Sequence, residues 1–185
     1  MAVAMVQMAQ FYGFPVYVNV GLTDAKVPDA QSGVEKGTSL LLAALAGADT
    51  FGHCGICGTD HAGSLVWLYL DNEVAEYVKR IVRGFEVDSE KIAEDIVHKV
   101  GPGGNFLAEE HTVRHFRQEM WIPGPAWTRQ SWDGWQAEGK KSMGDRIKEQ
   151  ISEILANHQP DALHEDMSRE IDRIVKRARD DLSSV

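Results

Sequence analysis

Four side chains that can bind a metal ion lie close together in the first third of the chain: His53, Cys54, Cys57 and His61. Zinc takes nitrogen and sulfur ligands in tetrahedral geometry, and a Cys-x-x-Cys turn presents two thiolates at a suitable spacing. Structural zinc sites usually pair two such turns, and this chain has one. A redox role is disfavoured because Gly58 argues against the helix that normally lowers the thiol pKa. The sequence therefore favours small buried cysteines over a metal site.

A second group of possible ligands lies on a predicted helix. His111, His115 and Glu119 are spaced at i, i+4 and i+8, which places them on one helical face. The glutamate of the zinc-protease motif H-E-x-x-H is missing between the two histidines, so proteolysis is not indicated. Histidines on an exposed acidic helix are more often solvated than bound to metal. This face is therefore a candidate metal site, and the simpler interpretation is that its histidines are solvated.

The loop that follows the first predicted strand carries charged side chains: Asp24, Lys26 and Asp29. Polar side chains placed there could bind a polar substrate, orient a water molecule or transfer a proton. The alternative is that Asp29 caps the next helix and Lys26 pairs with an acid. Both interpretations stay open on the sequence alone.

The elements that position these loops alternate between helix and strand. Predicted helices cover residues 2–13 and 31–46, and predicted strands cover 15–20 and 49–53. The first strand is nearly all apolar, which is typical of a buried strand. The helix 31–46 has a predicted apolar stripe formed by Val34, Thr38, Leu41, Leu42 and Leu45. This order predicts an α/β fold of parallel βα units.

Helices are also predicted over 72–84, 89–100 and 109–120. Two parallel strands cannot bury both of their faces, so the chain is predicted to be the C-terminal part of something larger. The sequence predicts a division into residues 1–120 and 121–185.

The part from residue 121 onward begins with clustered tryptophans and continues with two amphipathic helices joined near Pro160. The tryptophans could form a partner-binding surface. The favoured interpretation is that large side chains pin an irregular segment against the protein. The tryptophans in question are Trp121, Trp127, Trp132 and Trp135.

Composition narrows the function classes. The chain has 185 residues and a net charge of −9, with an isoelectric point near 5.2. This acidity argues against a nucleic-acid-binding domain, which needs a basic face. No run of 18 apolar residues is present, so no membrane span is predicted. Two cysteines cannot build a disulfide framework, and a cytoplasmic location is predicted.

Five stretches of the sequence together resemble the trimethylamine methyltransferase family. They are GLTDAKVPDAQ (21–31), EKGTSLLLAALAGAD (35–49), NEVAEYVKRIVRGFEV (72–87), VGPGGNFLAEEHT (100–112) and HFRQEMWIP (115–123). The resemblance runs in order from about residue 10 to about residue 140. It implies the C-terminal βα units of a TIM (β/α)8 barrel followed by a helical tail, which agrees with the two predicted strands.

The resemblance also implies an activity. Family members transfer a methyl group from trimethylamine or a related methylated amine to the cobalt of a corrinoid on a separate small protein, and they serve methylamine-dependent methanogenesis. Some relatives act on glycine betaine. The implied partners are the corrinoid protein, the methylated amine and the N-terminal remainder of the barrel, and a homo-oligomer is expected. Loop position and charge make Asp24, Lys26, Asp60 and His61 the candidate substrate-binding residues, while the catalytic residues stay unassigned.

In the trimethylamine-specific branch an in-frame amber codon encodes pyrrolysine, and the printed sequence has none. Our hypothesis is that Met1 is an internal methionine after such a codon, so that residues 1–185 alone would be inactive. The alternative function is a non-catalytic metal-binding or protein-interaction module built on His53, Cys54, Cys57 and His61.

Overall fold

The computed structural model describes residues 1–183, which are mainly helical. The first half contains α1 (Ala2–Phe11), β1 (Tyr17–Asn19), α2 (Ala30–Leu45), β2 (Thr50–Gly52), β3 (Ile56–Cys57), β4 (Ala62–Gly63) and α3 (Leu65–Arg83). The second half contains α4 (Ser89–Ile92), α5 (Glu94–Val100), a 3-10 turn (Phe106–Ala108), α6 (Glu110–Glu119), α7 (Trp132–Ala137), α8 (Met143–Asn157) and α9 (Glu165–Ser183).

Strands β1 and β2 pair in parallel, with Val18 opposite Phe51 and α2 as the crossover. This confirms the predicted βα order. Within residues 1–183 the predicted buried strand is buried on one face: Val18 is buried, while Tyr17 and Asn19 are exposed. The core covers one face of the pair. On the other face the Tyr17 side chain extends over Gly52, so a larger residue at position 52 would require the exposed Tyr17 ring to shift.

Helix α2 starts where the sequence predicts, but it buries a different face. The Asp29 side chain accepts a hydrogen bond from the Ser32 backbone N–H, and the Ser32 hydroxyl is bonded to Asp29 in return. Such a capping box satisfies two backbone donors that lack partners inside the helix. The buried residues of the helix are Ser32, Lys36, Leu40 and Ala43. The predicted stripe is wrong because the polar side chains of Ser32 and Lys36 find partners in the interior, and Val34, Leu42 and Leu45 are exposed.

The segment between β2 and α3 forms a two-stranded antiparallel hairpin, β3–β4, which the sequence analysis did not predict. Gly55 precedes it with a φ of +86°, a conformation that glycine adopts without strain. The Ser64 hydroxyl then accepts a hydrogen bond from Trp67 N–H and starts α3. Helix α3 therefore begins seven residues before the predicted start at residue 72.

The helix predicted over 89–100 is two helices. Ala93 separates α4 from α5 with a left-handed backbone at φ 53°, which interrupts the helical hydrogen bonds. Asp88 caps α4, since its side chain accepts a hydrogen bond from Lys91 N–H. A helix close to the predicted 109–120 is present as α6.

The chain divides into two compact units, Met1–Ser152 and Glu153–Val185. The first unit holds two hydrophobic clusters. One joins β1 to α1, α2 and α3 through Val6, Val16, Val18, Val20, Leu40, Ala43 and Val78. The other is formed by Ala25, Cys57, Trp67, Leu70, Ala126 and Ile147, so residues after position 120 contribute to this core. The two predicted C-terminal amphipathic helices are present as α8 and α9. None of the helices in the described range 1–183 is long and apolar enough to cross a membrane.

Candidate functional site

The loops that follow β1 and β2 meet at the carboxyl ends of the two parallel strands. Thr59 N–H donates to the carbonyl of Thr23 over 3.4 Å. The Thr59 hydroxyl also makes a short hydrogen bond to the Asp24 carboxylate. Two loops that are 35 residues apart in sequence are thereby joined, and functional sites of parallel α/β folds are built at this edge.

Glu35, on the first turns of α2, holds the β1 loop in place. Its carboxylate accepts hydrogen bonds from the Thr23 hydroxyl over 2.6 Å and from Asp24 N–H over 3.0 Å. Gln31 donates a third bond over 3.0 Å. The hydrogen bond from Thr23, followed by those from Gln31 and Asp24, holds the pKa of Glu35 below its ordinary value. This carboxylate is therefore ionised at neutral pH.

The predicted substrate-binding residues lie on these two loops. Asp24, Lys26, Asp60 and His61 are all exposed. The Lys26 ammonium donates to the backbone carbonyl of Asp24 over 2.6 Å, whereas the alternative interpretation expected an acidic side chain as its partner. Asp60 directly follows Thr59 and has a left-handed backbone at φ 65°. The structure thus brings Asp24 and the loop of Asp60 and His61 to one edge.

A buried ion pair lies beneath these loops. Lys36 Nζ is 2.9 Å from Asp71 Oδ2, with exposed side-chain fractions of 0% and 1%. The same ammonium donates to the carbonyls of Gly21 over 2.8 Å and of Ile56 over 2.9 Å. It also lies 5.2 Å from the centre of the Trp67 ring, within the range of a cation–π contact. Lys36 therefore connects α2 to the β1 loop, to the hairpin and to α3.

Asp71 completes this connection on the other side. Its Oδ2 accepts a second hydrogen bond, from Gly55 N–H over 2.7 Å. Burial raises the pKa of Asp71, and the hydrogen bonds from Lys36 and Gly55 offset part of that rise. Ionised partners at hydrogen-bond distance are the usual way to keep a charge in a protein interior. The pair fixes the position of both loops that carry the candidate site.

The candidate metal ligands are not assembled. Among residues 1–183, no three His, Cys, Asp or Glu side chains lie where they could hold one metal ion. Cys57 is buried in β3, as the sequence favoured, whereas Cys54 is exposed. Partial burial of the Cys54 thiol raises its pKa, and the negative charge of Asp71 raises it further. Reactive redox cysteines have a lowered pKa instead.

The histidine face of α6 belongs to a network of polar contacts. His111 Nε2 lies 2.7 Å from the carbonyl of Glu90, and His115 Nε2 lies 3.2 Å from the Glu90 carboxylate. Glu119 accepts a hydrogen bond from Lys91 over 2.6 Å. These contacts join α6 to α4, so the three residues have a structural role at this junction.

The tryptophan segment is held against α3 at its beginning. Trp127 Nε1 donates to the buried carboxylate of Glu73 over 2.7 Å, and its ring stacks on Tyr77 at 5.5 Å. Trp121 contacts Tyr77 edge-on at 4.9 Å. These contacts agree with the favoured interpretation of a pinned segment. Trp132, in contrast, is 69% exposed.

Four residues of this site were not predicted from the sequence: Glu35, Lys36, Thr59 and Asp71. One signal was available, because Ser32, Lys36, Leu40 and Ala43 follow helical spacing and mark a face on which a lysine must find a partner. Nothing in the sequence pairs Lys36 with Asp71, which is 35 residues away. The resulting edge carries three carboxylates, Asp24, Glu35 and Asp60, beside the single ammonium of Lys26, and this excess of negative charge suits a cationic ligand.

Comparison with known proteins gives consistent matches. The family model described as trimethylamine methyltransferase (MTTB) matches residues 1–183. A trimethylamine methyltransferase MttB from Methanosarcina barkeri is 36% identical over 177 residues, which cover 95% of this chain and 35% of that protein. One from Desulfitobacterium hafniense is 33% identical over 175 residues, with the same coverage of 95% and 35%.

A glycine betaine methyltransferase from Desulfitobacterium hafniense is also similar. It is 33% identical over 173 residues, which cover 93% of this chain and 36% of that protein. The chain thus spans about a third of the length of the curated relatives that it matches.

Proposed function

Because this chain belongs to the trimethylamine methyltransferase family, we propose that it supplies the C-terminal βα units of a (β/α)8-barrel enzyme that demethylates a quaternary or tertiary amine. The methyl group passes to the cobalt of a corrinoid carried by a separate small protein. Trimethylamine is the proposed substrate, and glycine betaine is the alternative, since relatives of both kinds match. The activity belongs to the whole protein, and this chain spans about a third of the length of the matched relatives.

The observation that carries this proposal is the set of carboxylates at the carboxyl ends of β1 and β2. Asp24 and Asp60 are exposed there on loops joined through Thr59, and Glu35 supports the first loop. In (β/α)8 barrels the loops at this end carry the active site. A methylated ammonium is a cation, so carboxylates attract it and stabilise it at this edge.

The residues of this chain bind and orient the substrate in the proposed reaction. The corrinoid, when its carrier protein is bound, supplies a cobalt nucleophile that accepts the methyl group. Asp24 and Asp60 bind the ammonium at this edge, which contributes proximity and orientation to the methyl transfer. Their charge also keeps the amine cationic, and a cationic amine is the better substrate because its nitrogen leaves as a neutral molecule.

The test uses the whole enzyme with its corrinoid protein. We expect Asp24→Asn and Asp60→Asn to lower kcat/KM for the amine by about tenfold or more, with most of the change in KM, because each removes a charge that binds the ground state. Asp133→Asn, in α7, is the matched control, since Asp133 is exposed and remote in sequence from both loops. Unchanged kinetics in both Asp24 and Asp60 variants would remove these residues from the substrate site.

The proposal extends to an amber-encoded pyrrolysine in the remaining part of the protein. Expression of the full reading frame with amber suppression should then give methyl transfer, and expression without suppression should not. We expect residues 1–185 alone to give no turnover, and turnover by this chain alone would contradict the proposal.

A further inference from the structure

Helix α9 carries a regular apolar face that is exposed within its own unit, residues 153–183. Met167, Ile171, Ile174 and Ala178 follow one another at intervals of four, three and four residues. This is the spacing of the a and d positions of a coiled coil, with Ile171 and Ala178 at a and Met167 and Ile174 at d. Ile171 is 46% exposed and Ile174 is 57% exposed. Isoleucines at such positions are normally covered by a partner helix.

We propose that this face binds α9 of a second copy of the chain, with the two helices antiparallel. In that arrangement each a position faces a d position of the other helix. Ile171 packs against Ile174 of the second copy, and Met167 packs against Ala178 of the second copy. The two-fold axis generates the same two contacts again, so four apolar layers form without any unmatched polar residue.

The charges beside the apolar face determine the direction of the two helices. Glu170 and Arg177 occupy the g positions, and e and g residues set the partner and orientation of paired helices. In the antiparallel register of these layers, Glu170 faces Arg177 of the second copy, and this pair occurs twice. In a parallel pair, Glu170 would face Val175 and Arg177 would face Leu182, with no ion pair formed. In this register α9 therefore forms ion pairs with a second α9 in the antiparallel direction only.

Glu170 and Arg177 can exchange their partners within the helix for partners on a second helix. In the single helix Glu170 accepts hydrogen bonds from Arg173, and Arg177 Nε lies 3.8 Å from Asp181. Both pairs are exposed, and exposed pairs within a helix contribute little to stability. Exchanging them for contacts between helices, where they flank a dry apolar layer, costs little.

Charge reversal on the full 185-residue chain tests the proposal. Sedimentation equilibrium over a range of concentrations gives the dimer dissociation constant against a monomer mass of 20.5 kDa. E170R and R177E each place two pairs of like charges in the dimer, so each should raise this constant at least tenfold. The matched controls are D172R and K176E, which make the same charge changes at positions directed away from the partner helix and should leave it unchanged.

Rescue provides the specific part of the test. The double variant E170R/R177E restores both ion pairs and should dimerise like the wild type. An equimolar mixture of the two single variants should form heterodimers, because every contact then joins opposite charges. A monomeric wild type, or dimerisation that ignores these charges, would overturn the proposal. The readout is mass in solution, so its outcome is independent of the proposed methyltransferase activity.

Discussion

Lys36 on α2 and Asp71 on α3 form an ion pair of 2.9 Å that is closed to solvent. The ammonium uses its three donors on Asp71 and on the carbonyls of Gly21 and Ile56. Two helices, the loop after β1 and the hairpin after β2 therefore depend on one lysine side chain. This pair holds in place the two loops that carry Asp24 and Asp60.

Removal of one member of this pair should destabilise the chain strongly. We expect Lys36→Met to lower the free energy of unfolding by about 3–5 kcal/mol, because the Asp71 carboxylate stays buried without its cation. Urea unfolding followed by tryptophan fluorescence measures the change. Lys79→Met is the matched control: Lys79 pairs with Glu76 on the surface at 2.6 Å, and its loss should cost less than about 1 kcal/mol.

The double variant Lys36→Met/Asp71→Leu separates charge burial from packing. It should be more stable than Lys36→Met, since no uncompensated charge remains. Part of the loss should persist because Gly21 and Ile56 lose a hydrogen-bond donor. If the double variant shows the full sum of the two single losses, the two residues are not coupled.

The hydrogen bonds to Glu35 predict a pH dependence of stability. These bonds keep the pKa of Glu35 lower in the folded state than in the unfolded state, where it is about 4.3. Between those two values the unfolded chain binds more protons, so stability rises with pH. The contribution of Glu35 is complete above the unfolded pKa and is lost as the pH falls through the folded pKa.

Unfolding measurements between about pH 3 and 7 test this sign. The stability advantage of the wild type over Glu35→Gln should shrink as the pH falls below about 4.3. Glu153→Gln, at an exposed position of α8, is the control and should show a smaller change. An advantage that grows toward acidic pH would contradict the assigned role of the bonds from Thr23, Gln31 and Asp24.

Trp127 should contribute through its polar atom as well as its ring. Trp127→Phe removes the only hydrogen-bond donor of the indole and leaves the buried Glu73 carboxylate short of the partner at 2.7 Å. Hydrogen bonds to charged groups contribute about 1.5–3 kcal/mol, so a loss in that range is expected in the free energy of unfolding. Trp132→Phe, at an exposed residue, is the control, and equal losses in the two variants would refute the pinning role of Trp127.

Cys54 should react slowly for an exposed cysteine. Partial burial of its thiol and the nearby charge of Asp71 raise its pKa, so the thiolate fraction at neutral pH is small. The rate of alkylation by iodoacetamide, followed by mass spectrometry against pH, should reach its midpoint above about 8.5, the value of an ordinary thiol. A midpoint at or below that value would show that Cys54 is an activated cysteine.

Local elements were largely predictable from the sequence because their signals are local. The cap at Asp29, the two strands and the C-terminal helices all follow from residues within a few positions of each other, and the parallel order of the strands follows from the helix between them. The errors have physical causes as well. The predicted buried face of α2 was wrong because Lys36, a charged residue, is buried together with an ionised partner. The single helix predicted over 89–100 is two helices because Ala93 adopts a left-handed conformation that alanine seldom shows.

The sequence predicted which loops carry the candidate site, but it did not predict the side-chain contacts that hold these loops together. Loop position after a strand identified Asp24, Lys26, Asp60 and His61, because parallel strands end at a common edge. The sequence by itself determined this edge, the family resemblance and the acidic character of the loops. Only the tertiary structure decided that Thr59 joins the two loops and that Asp71 receives Lys36. Pairing over 35 residues depends on how α2 and α3 pack, and packing is a property of the folded chain as a whole.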